Sequence, residues 1–239
     1  MMKRKILNSL ILAALAVPAV AMADTAPASP FSGNVSLTTD YLYRGITQTD
    51  HGGAIQGGYD YVNPNGFYAG VWGSNISWLY DGGYTGGSSL ELDTYAGYNG
   101  SFATDYSYSV GFLRYNYGGN SSAAAIANAD TNEFNASIGW KTVSLKYSRS
   151  TGNLFGFANS SGSGYLELNG TYTLAGPAVD LSGHFGKQTV ANDGAASYKD
   201  YNVKAAKAFG AYTWAFMISK TDLTGYDKAR GVLSVSHSM

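Results

Sequence analysis

The sequence predicts an all-β fold, an up-and-down antiparallel transmembrane β-barrel of about 12 strands, and three observations carry that prediction. Apolar and polar residues alternate with a period of two in segment after segment, the signature of strands with two unlike faces. The connections between those segments alternate between long and short through the whole chain. Nothing after residue 23 supplies the roughly 20 consecutive apolar residues that a membrane helix needs.

The alternation is clearest over residues 34–76. Val35, Leu37, Thr39 and Tyr41 alternate with Ser36, Thr38 and Asp40 in a first strand, and a long polar connection covers 43–53. Ile55, Gly57, Tyr59 and Tyr61 then oppose Gln56, Gly58 and Asp60. A tight Asn-Pro-Asn-Gly turn leads to Phe67, Ala69, Val71 and Gly73, set against Tyr68, Gly70, Trp72 and Ser74. After a glycine-rich loop over 75–89, Leu90, Leu92, Thr94, Ala96 and Tyr98 oppose Glu91, Asp93, Tyr95 and Gly97. Asn99-Gly100 reads as the hairpin turn before Tyr106, Tyr108, Val110 and Phe112. A second long loop spans 116–130, with an alanine-rich piece over 123–129 that suits a helical turn.

The second half of the chain repeats the rhythm. Phe134, Ala136, Ile138 and Trp140 turn tightly near Lys141 into Val143, Leu145 and Tyr147, and a loop follows over 149–163. Leu166, Leu168, Gly170 and Tyr172 are joined by a short turn to Val179, Leu181, Gly183 and Phe185. A loop over 187–197 leads to Tyr201, Val203, Ala205 and Phe209, then a turn at Gly210 to Tyr212, Trp214, Phe216 and Ile218. The loop over 221–228 precedes a last strand ending at Met239. An even strand count puts both termini at the short-turn end, as in bacterial outer-membrane barrels.

The start of the chain is separate. Lys3, Arg4 and Lys5, an apolar run over 6–20 and Ala21-Met22-Ala23 have the parts of a secretory signal peptide, 1–23, cleaved after Ala23. Residues 24–33 are then a short N-terminal periplasmic segment and 34–239 the barrel. Without the three basic residues of the leader, 12 basic face 16 acidic residues, a net charge of −4. That balance argues against a nucleic-acid partner. With no cysteine, disulfides and thiolate metal sites are excluded.

Which face is apolar decides between a soluble and a membrane barrel. The apolar face carries Tyr61, Phe67, Tyr98, Tyr106, Trp140, Tyr172, Phe209 and Tyr212 at the turn end. At the loop end it carries Tyr41, Phe112, Phe134, Tyr147, Phe185 and Tyr201, with an aliphatic band between the two sets. Two aromatic belts around such a band fit the two interfaces of a bilayer. The other face carries Asp40, Asp60, Glu91, Asp93, Glu133, Lys146, Glu167, Asp180, Asp200 and Lys204, too many charges for a dry core. The charged face is therefore a wet or internally paired lumen. Lys207 falls on the apolar face, and snorkelling to the turn-end interface would accommodate it.

The first hairpins, with T-D-Y-L-Y-R-G-I-T-Q-T-D and G-F-Y-A-G-V-W-G-S-N-I over 35–76 and L-E-L-D-x-Y-A-G-Y at 90–98, resemble the TorF family of porins. The likeness thins after Ser148. It implies the outer membrane of a Gram-negative bacterium and a channel role, with no assigned solute or binding residues. Barrels of this kind usually end in an aromatic residue read by the barrel-assembly machinery, and Met239 departs from that.

Arg44 is the pore-mouth candidate, where the first strand enters its loop. Two readings stand level: selection of solutes at the mouth, or pairing with a nearby carboxylate or lipid headgroup that only orders the loop. Tyr68, Trp72 and Tyr95 point into the lumen, to stack on a sugar or, more ordinarily, to fill space. Asp180, Ser182 and His184 share a face and invite a hydrolase reading. Positions two apart on a strand lie about 6.5–7 Å from one another, too far for a direct nucleophile–base contact. His51, His184 and His237 have no ligand spacing, so no metal is expected, and 81–87 lacks the calcium-loop and phosphate-loop patterns. The expectation is a channel without catalysis or cofactor, passing small polar solutes by diffusion with a weak cation preference. Outer-membrane lipid and the assembly machinery are its partners, and its oligomeric state is open. The alternatives are a non-conducting structural or adhesive barrel and an outer-membrane hydrolase.

Overall fold

The computed structural model describes residues 29–82, 88–118 and 128–239. The leader segment 1–23 and the alanine-rich stretch up to 127 lie outside the described residues. In chain order the strands are β1 (Phe31–Thr38), the short pair β2 (Leu42–Tyr43) and β3 (Ile46–Thr47), β4 (Ala54–Val62), β5 (Phe67–Asn75), β6 (Leu90–Phe102), β7 (Tyr106–Tyr117), β8 (Thr131–Trp140), β9 (Val143–Ser150), β10 (Gly164–Leu174), β11 (Val179–Thr189), β12 (Tyr198–Phe209), β13 (Tyr212–Thr221) and β14 (Arg230–Ser238). All except β2 and β3 form one closed barrel of sequential antiparallel neighbours, sealed where β1 pairs with β14. At the seam Met239 and Gly33 exchange both backbone hydrogen bonds, at 2.8 and 2.9 Å. Closure leaves no strand edge unpaired, the condition for putting a sheet in lipid.

The apolar set faces out. Leu92, Ile138 and Leu168 are 44, 46 and 46% exposed, whereas Glu91, Glu133 and Glu167 are 1, 2 and 3% exposed. The aromatic belts form ring pairs across neighbouring strands: Phe31 with Tyr61, Phe67 with Tyr98 and Phe102 with Tyr106 at the turn end, Phe112 with Phe134 and Phe185 with Tyr201 at the loop end. Lys207 lays its ammonium 5.2 Å from the Phe209 ring, at the turn-end belt.

Three expectations are corrected. The first strand ends at Thr38, not at Tyr41, and starts at Phe31, three residues before the expected boundary. Asp40 and Tyr41 therefore belong to a long first loop, and Tyr41 leaves the lipid-side belt for the lumen. The hairpin turn expected at Asn99-Gly100 is absent: both residues pair within the sheet, with Ser109 and Tyr108, and the chain reverses after Phe102 with Ala103 at φ 53°. The Tyr108 ring covers the bare face of Gly100, and the Phe102 and Tyr106 rings stack at 5.2 Å. That cross-strand aromatic packing outweighs the local turn preference. Finally, the glycine-rich connection after β5 begins with a single helical turn, α1 (Trp78–Asp81), whose ends are tied by Ser77 Oγ donating to the Asp81 carboxylate at 2.6 Å.

Candidate functional site

The candidate site is the lumen, and its two ends differ. At the loop end residues 39–53, here loop 1, fold into the barrel instead of standing on it. Asp40 holds the loop's own shape: one carboxylate oxygen accepts from Thr47 Oγ1 at 2.6 Å and the other lies 2.9 Å from His51 Nδ1. Positive φ at Arg44, Gly45, Asp50 and His51 bends the chain back on itself around the β2–β3 ladder. Gly45 meets the far wall. A Cβ there would sit 2.6 Å from Thr221 Cγ2 and 2.8 Å from Asp200 Cβ, and its φ of +79° also favours glycine.

Loop 1 is pinned by polar and aromatic contacts reaching around the barrel. Tyr41 donates its hydroxyl to Glu91 at 2.8 Å and sets its ring edge-on to Trp72. The Tyr43 and Tyr115 hydroxyls share a hydrogen bond of 2.7 Å, and Phe155 from the loop after β9 packs edge-on to both rings. Arg44 crosses the bore. Its guanidinium donates at 2.8 Å to Glu133 on β8 and at 2.8 Å to Gln188 on β11, between the rings of Tyr43 and Tyr165. Burial works against the Arg44 cation, but Glu133, Tyr43 and Tyr115 more than offset it, and the group is held above its ordinary pKa. Ile76, Leu79, Tyr115, Tyr117 and Ala129 complete a buried cluster over the same end.

Arg44 is thus a buried, paired residue inside the lumen and not an open rim charge: its side chain is 8% exposed. Asp40 does not line the wall of a barrel strand either, because β1 stops before it. The other lumen candidates lie on the inward face. Asp60 accepts from the Tyr95 hydroxyl at 2.5 Å. Lys146 lies 3.5 Å from Glu167, and His184 links Asn169 (2.6 Å), Asp200 (3.0 Å) and the Tyr165 hydroxyl (3.0 Å). These inter-strand bonds occupy both His184 ring nitrogens and leave it no serine partner among the described residues. Asp93 is 1% exposed, and its Oδ1 has no hydrogen-bond partner among the described residues. Asp180 and Lys204, nearer the turn end, are exposed.

The inward aromatics lie flat on the wall. A side chain at Gly70 would collide with the Tyr95 ring and with Asp60, and one at Gly97 with the Tyr68 hydroxyl. Each glycine provides the recess that a neighbouring strand's tyrosine fills, which accounts for both residue types on the lumen face. Missing from the candidates read from sequence were Tyr41, Tyr43, Tyr115, Tyr165, Asn169 and Gln188. Four of them, Tyr115, Tyr165, Asn169 and Gln188, share the inward parity of Leu113, Glu167 and His184, so the alternation carried to the true strand ends finds them.

Compared with solved structures, the chain is similar to the KdgM porin, with a TM-score of 0.56 at 12% identity over 87% of this chain and 99% of that one. It is also similar to the structure described as KdgM porin in complex with disordered oligogalacturonate, with a TM-score of 0.55 at 10% identity over 87% and 98% of the two chains. At such identities the likeness is one of fold, a porin-type barrel. No curated protein matches the chain. A family model described as "Bacterial protein of unknown function (Gcw_chp)" matches residues 22–236, and the chain belongs to that family.

Proposed function

We propose that the chain is an outer-membrane channel through which small polar solutes diffuse passively, with loop 1 as its constriction. The observation that carries this reading is the orientation of the closed barrel, with greasy side chains and two aromatic belts outside and the carboxylates inside. A lumen of that polarity has no role in a packed core, whereas a hydrated path across lipid requires it. The resemblance to TorF-family porins points the same way, as does the leader read in residues 1–23, which would deliver the chain for insertion by the barrel-assembly machinery.

Inward carboxylates at Asp60, Glu91, Asp93, Glu133, Glu167, Asp180 and Asp200 outnumber the inward cations Arg44, Lys146, Lys204 and Arg230. A weak cation preference follows, since a ring of one charge sign favours its counter-ion. Oligogalacturonate, present in the neighbour's structure, is a polyanion, and this acidic lumen is a poor match for it.

The purified protein in a planar bilayer tests the proposal. Stepwise current, with a reversal potential favouring cations in a salt gradient, is expected. One structural observation favours a second reading. Loop 1, α1 and Phe155 bury Leu79 completely and Tyr115 and Tyr117 to 4% exposure, so the loop end is covered. A barrel that conducts neither as the wild type nor after loop 1 is replaced by a short turn is a structural or adhesive element, and the channel reading then falls.

A further inference from the structure

The outward face of the barrel is apolar, but its charged residues are of one sign. Among the outward positions of the described strands there is no Asp or Glu, yet Arg114, Arg149, Lys187, Lys199, Lys207 and Lys220 are there. Arg114 is balanced: it donates to Asp130 at 2.9 Å and to Asn116 and Asn132. Lys207 rests on Phe209 at the turn end. The remaining four gather at the loop end of β9, β11, β12 and β13, all exposed, and none makes an ion pair among the described residues. The nearby carboxylates Asp193 and Asp222 each accept one backbone hydrogen bond, from Ala196 N and Lys199 N, and neither makes an ion pair with these cations.

Register sharpens the point. Lys187 stands directly opposite Lys199, and Lys220 stands opposite Tyr201, two residues from Lys199. Like charges facing each other across a ladder destabilise it unless an anion lies between them. With strands about 4.8 Å apart and about 3.4 Å per residue, the three ammonium groups start from positions within roughly 12 Å of one another. Their depth is equally definite. Arg149, Lys187 and Lys199 each lie two residues beyond Tyr147, Phe185 and Tyr201, one step outside the loop-end aromatic belt, where lipid headgroups begin. Arg149 also lines a cleft of about 290 Å³ with Phe134, Thr151, Ser161 and Gly162.

We propose that Arg149, Lys187, Lys199 and Lys220 form a docking rim for the phosphate groups of a phosphorylated lipid headgroup in the leaflet at the loop end. The proposal rests on the membrane reading of the preceding section. Long cationic stems cross the belt and present their heads at phosphate level, where charge-assisted hydrogen bonds are strong. A second copy of the chain cannot supply the counter-charge through its own barrel wall, because that wall carries no outward carboxylate on its described strands.

The test uses the full chain folded into phosphatidylcholine vesicles with or without bis-phosphorylated lipid A, followed by thermal unfolding and native mass spectrometry. The wild type is expected to retain lipid A and to unfold at a higher temperature in its presence. The variant combining Arg149→Gln, Lys187→Gln, Lys199→Gln and Lys220→Gln should lose retention at least tenfold. In phosphatidylcholine alone it should be as stable as the wild type or more so, since a repulsive pair is gone. Equal retention by wild type and variant, equal retention of dephosphorylated lipid A, or the same shift with inorganic phosphate alone would each overturn the rim. Failure of the wild type to insert into phosphatidylcholine would overturn the membrane reading, and the rim with it.

Discussion

The loop half and the turn half of this lumen are written in the same alternating code and differ in what covers them. In the loop half, Glu91, Asp93, Glu133 and Asp200 are 1 to 2% exposed because loop 1 lies across them. In the turn half, Asp180 and Lys204 are exposed and the covering is only tyrosine laid on glycine. A carboxylate in the first half must be paired, and most are: Glu91 with Tyr41, Glu133 with Arg44, Asp200 with His184 and Tyr165. In the second half Asp60 is still held under the Tyr95 ring, but Asp180 answers to water. A carboxylate therefore has a structural duty under loop 1 and an electrostatic one at Asp180, and substitutions can separate the two.

The largest effect is expected at Arg44. Arg44→Ala leaves Glu133 buried without its cation, a change that costs about 3–5 kcal/mol in comparable buried pairs. Because the loss falls on loop 1, it should appear as a larger single-channel conductance and a stronger cation preference in the planar bilayer. Next comes the outer wall beside the same lumen. Leu168→Arg places a cation in the apolar band and should destabilise the barrel by about 2–4 kcal/mol in denaturant titrations within vesicles.

Asp93 is a smaller case with the opposite sign. Its carboxylate is buried without an ion pair and its Oδ1 has no hydrogen-bond partner among the described residues, so removing the charge in Asp93→Asn should stabilise the fold by about 1 kcal/mol in the same titration, where Glu91→Gln or Glu133→Gln would destabilise it. At the open end, Asp180→Asn keeps an acceptor for the Thr173 hydroxyl, removes one exposed charge and should change stability by no more than about 0.5 kcal/mol. A stability loss at Asp180 as large as that at Arg44 would erase the distinction between the halves.

Much of the barrel was legible in the sequence because period-two alternation is a local property: Leu90 to Tyr98 announce their two faces without help from the rest of the chain. Loop 1 was not, and the reason is specific. Asp40 and Tyr41 continue the alternation of Val35 and Leu37, so nothing local marks the break after Thr38. The inward fold depends on partners 50 and 89 positions away, Glu91 for Tyr41 and Glu133 for Arg44. Asn99-Gly100 misled for a related reason, since the turn preference there is local and the aromatic ladder that overrides it is not.

The absence of cysteine makes one measurement especially direct. Single cysteines placed in turn at 166 to 172 along β10, in the protein reconstituted into vesicles, can be read for both quenching by nitroxide-labelled lipid and reaction with a water-soluble thiol reagent. The account predicts quenching at Leu166, Leu168, Gly170 and Tyr172, with aqueous reaction growing from Glu167 through Asn169 to Thr171 as the turn end is approached. Quenching at the even and odd positions alike, or at the odd ones only, would contradict it.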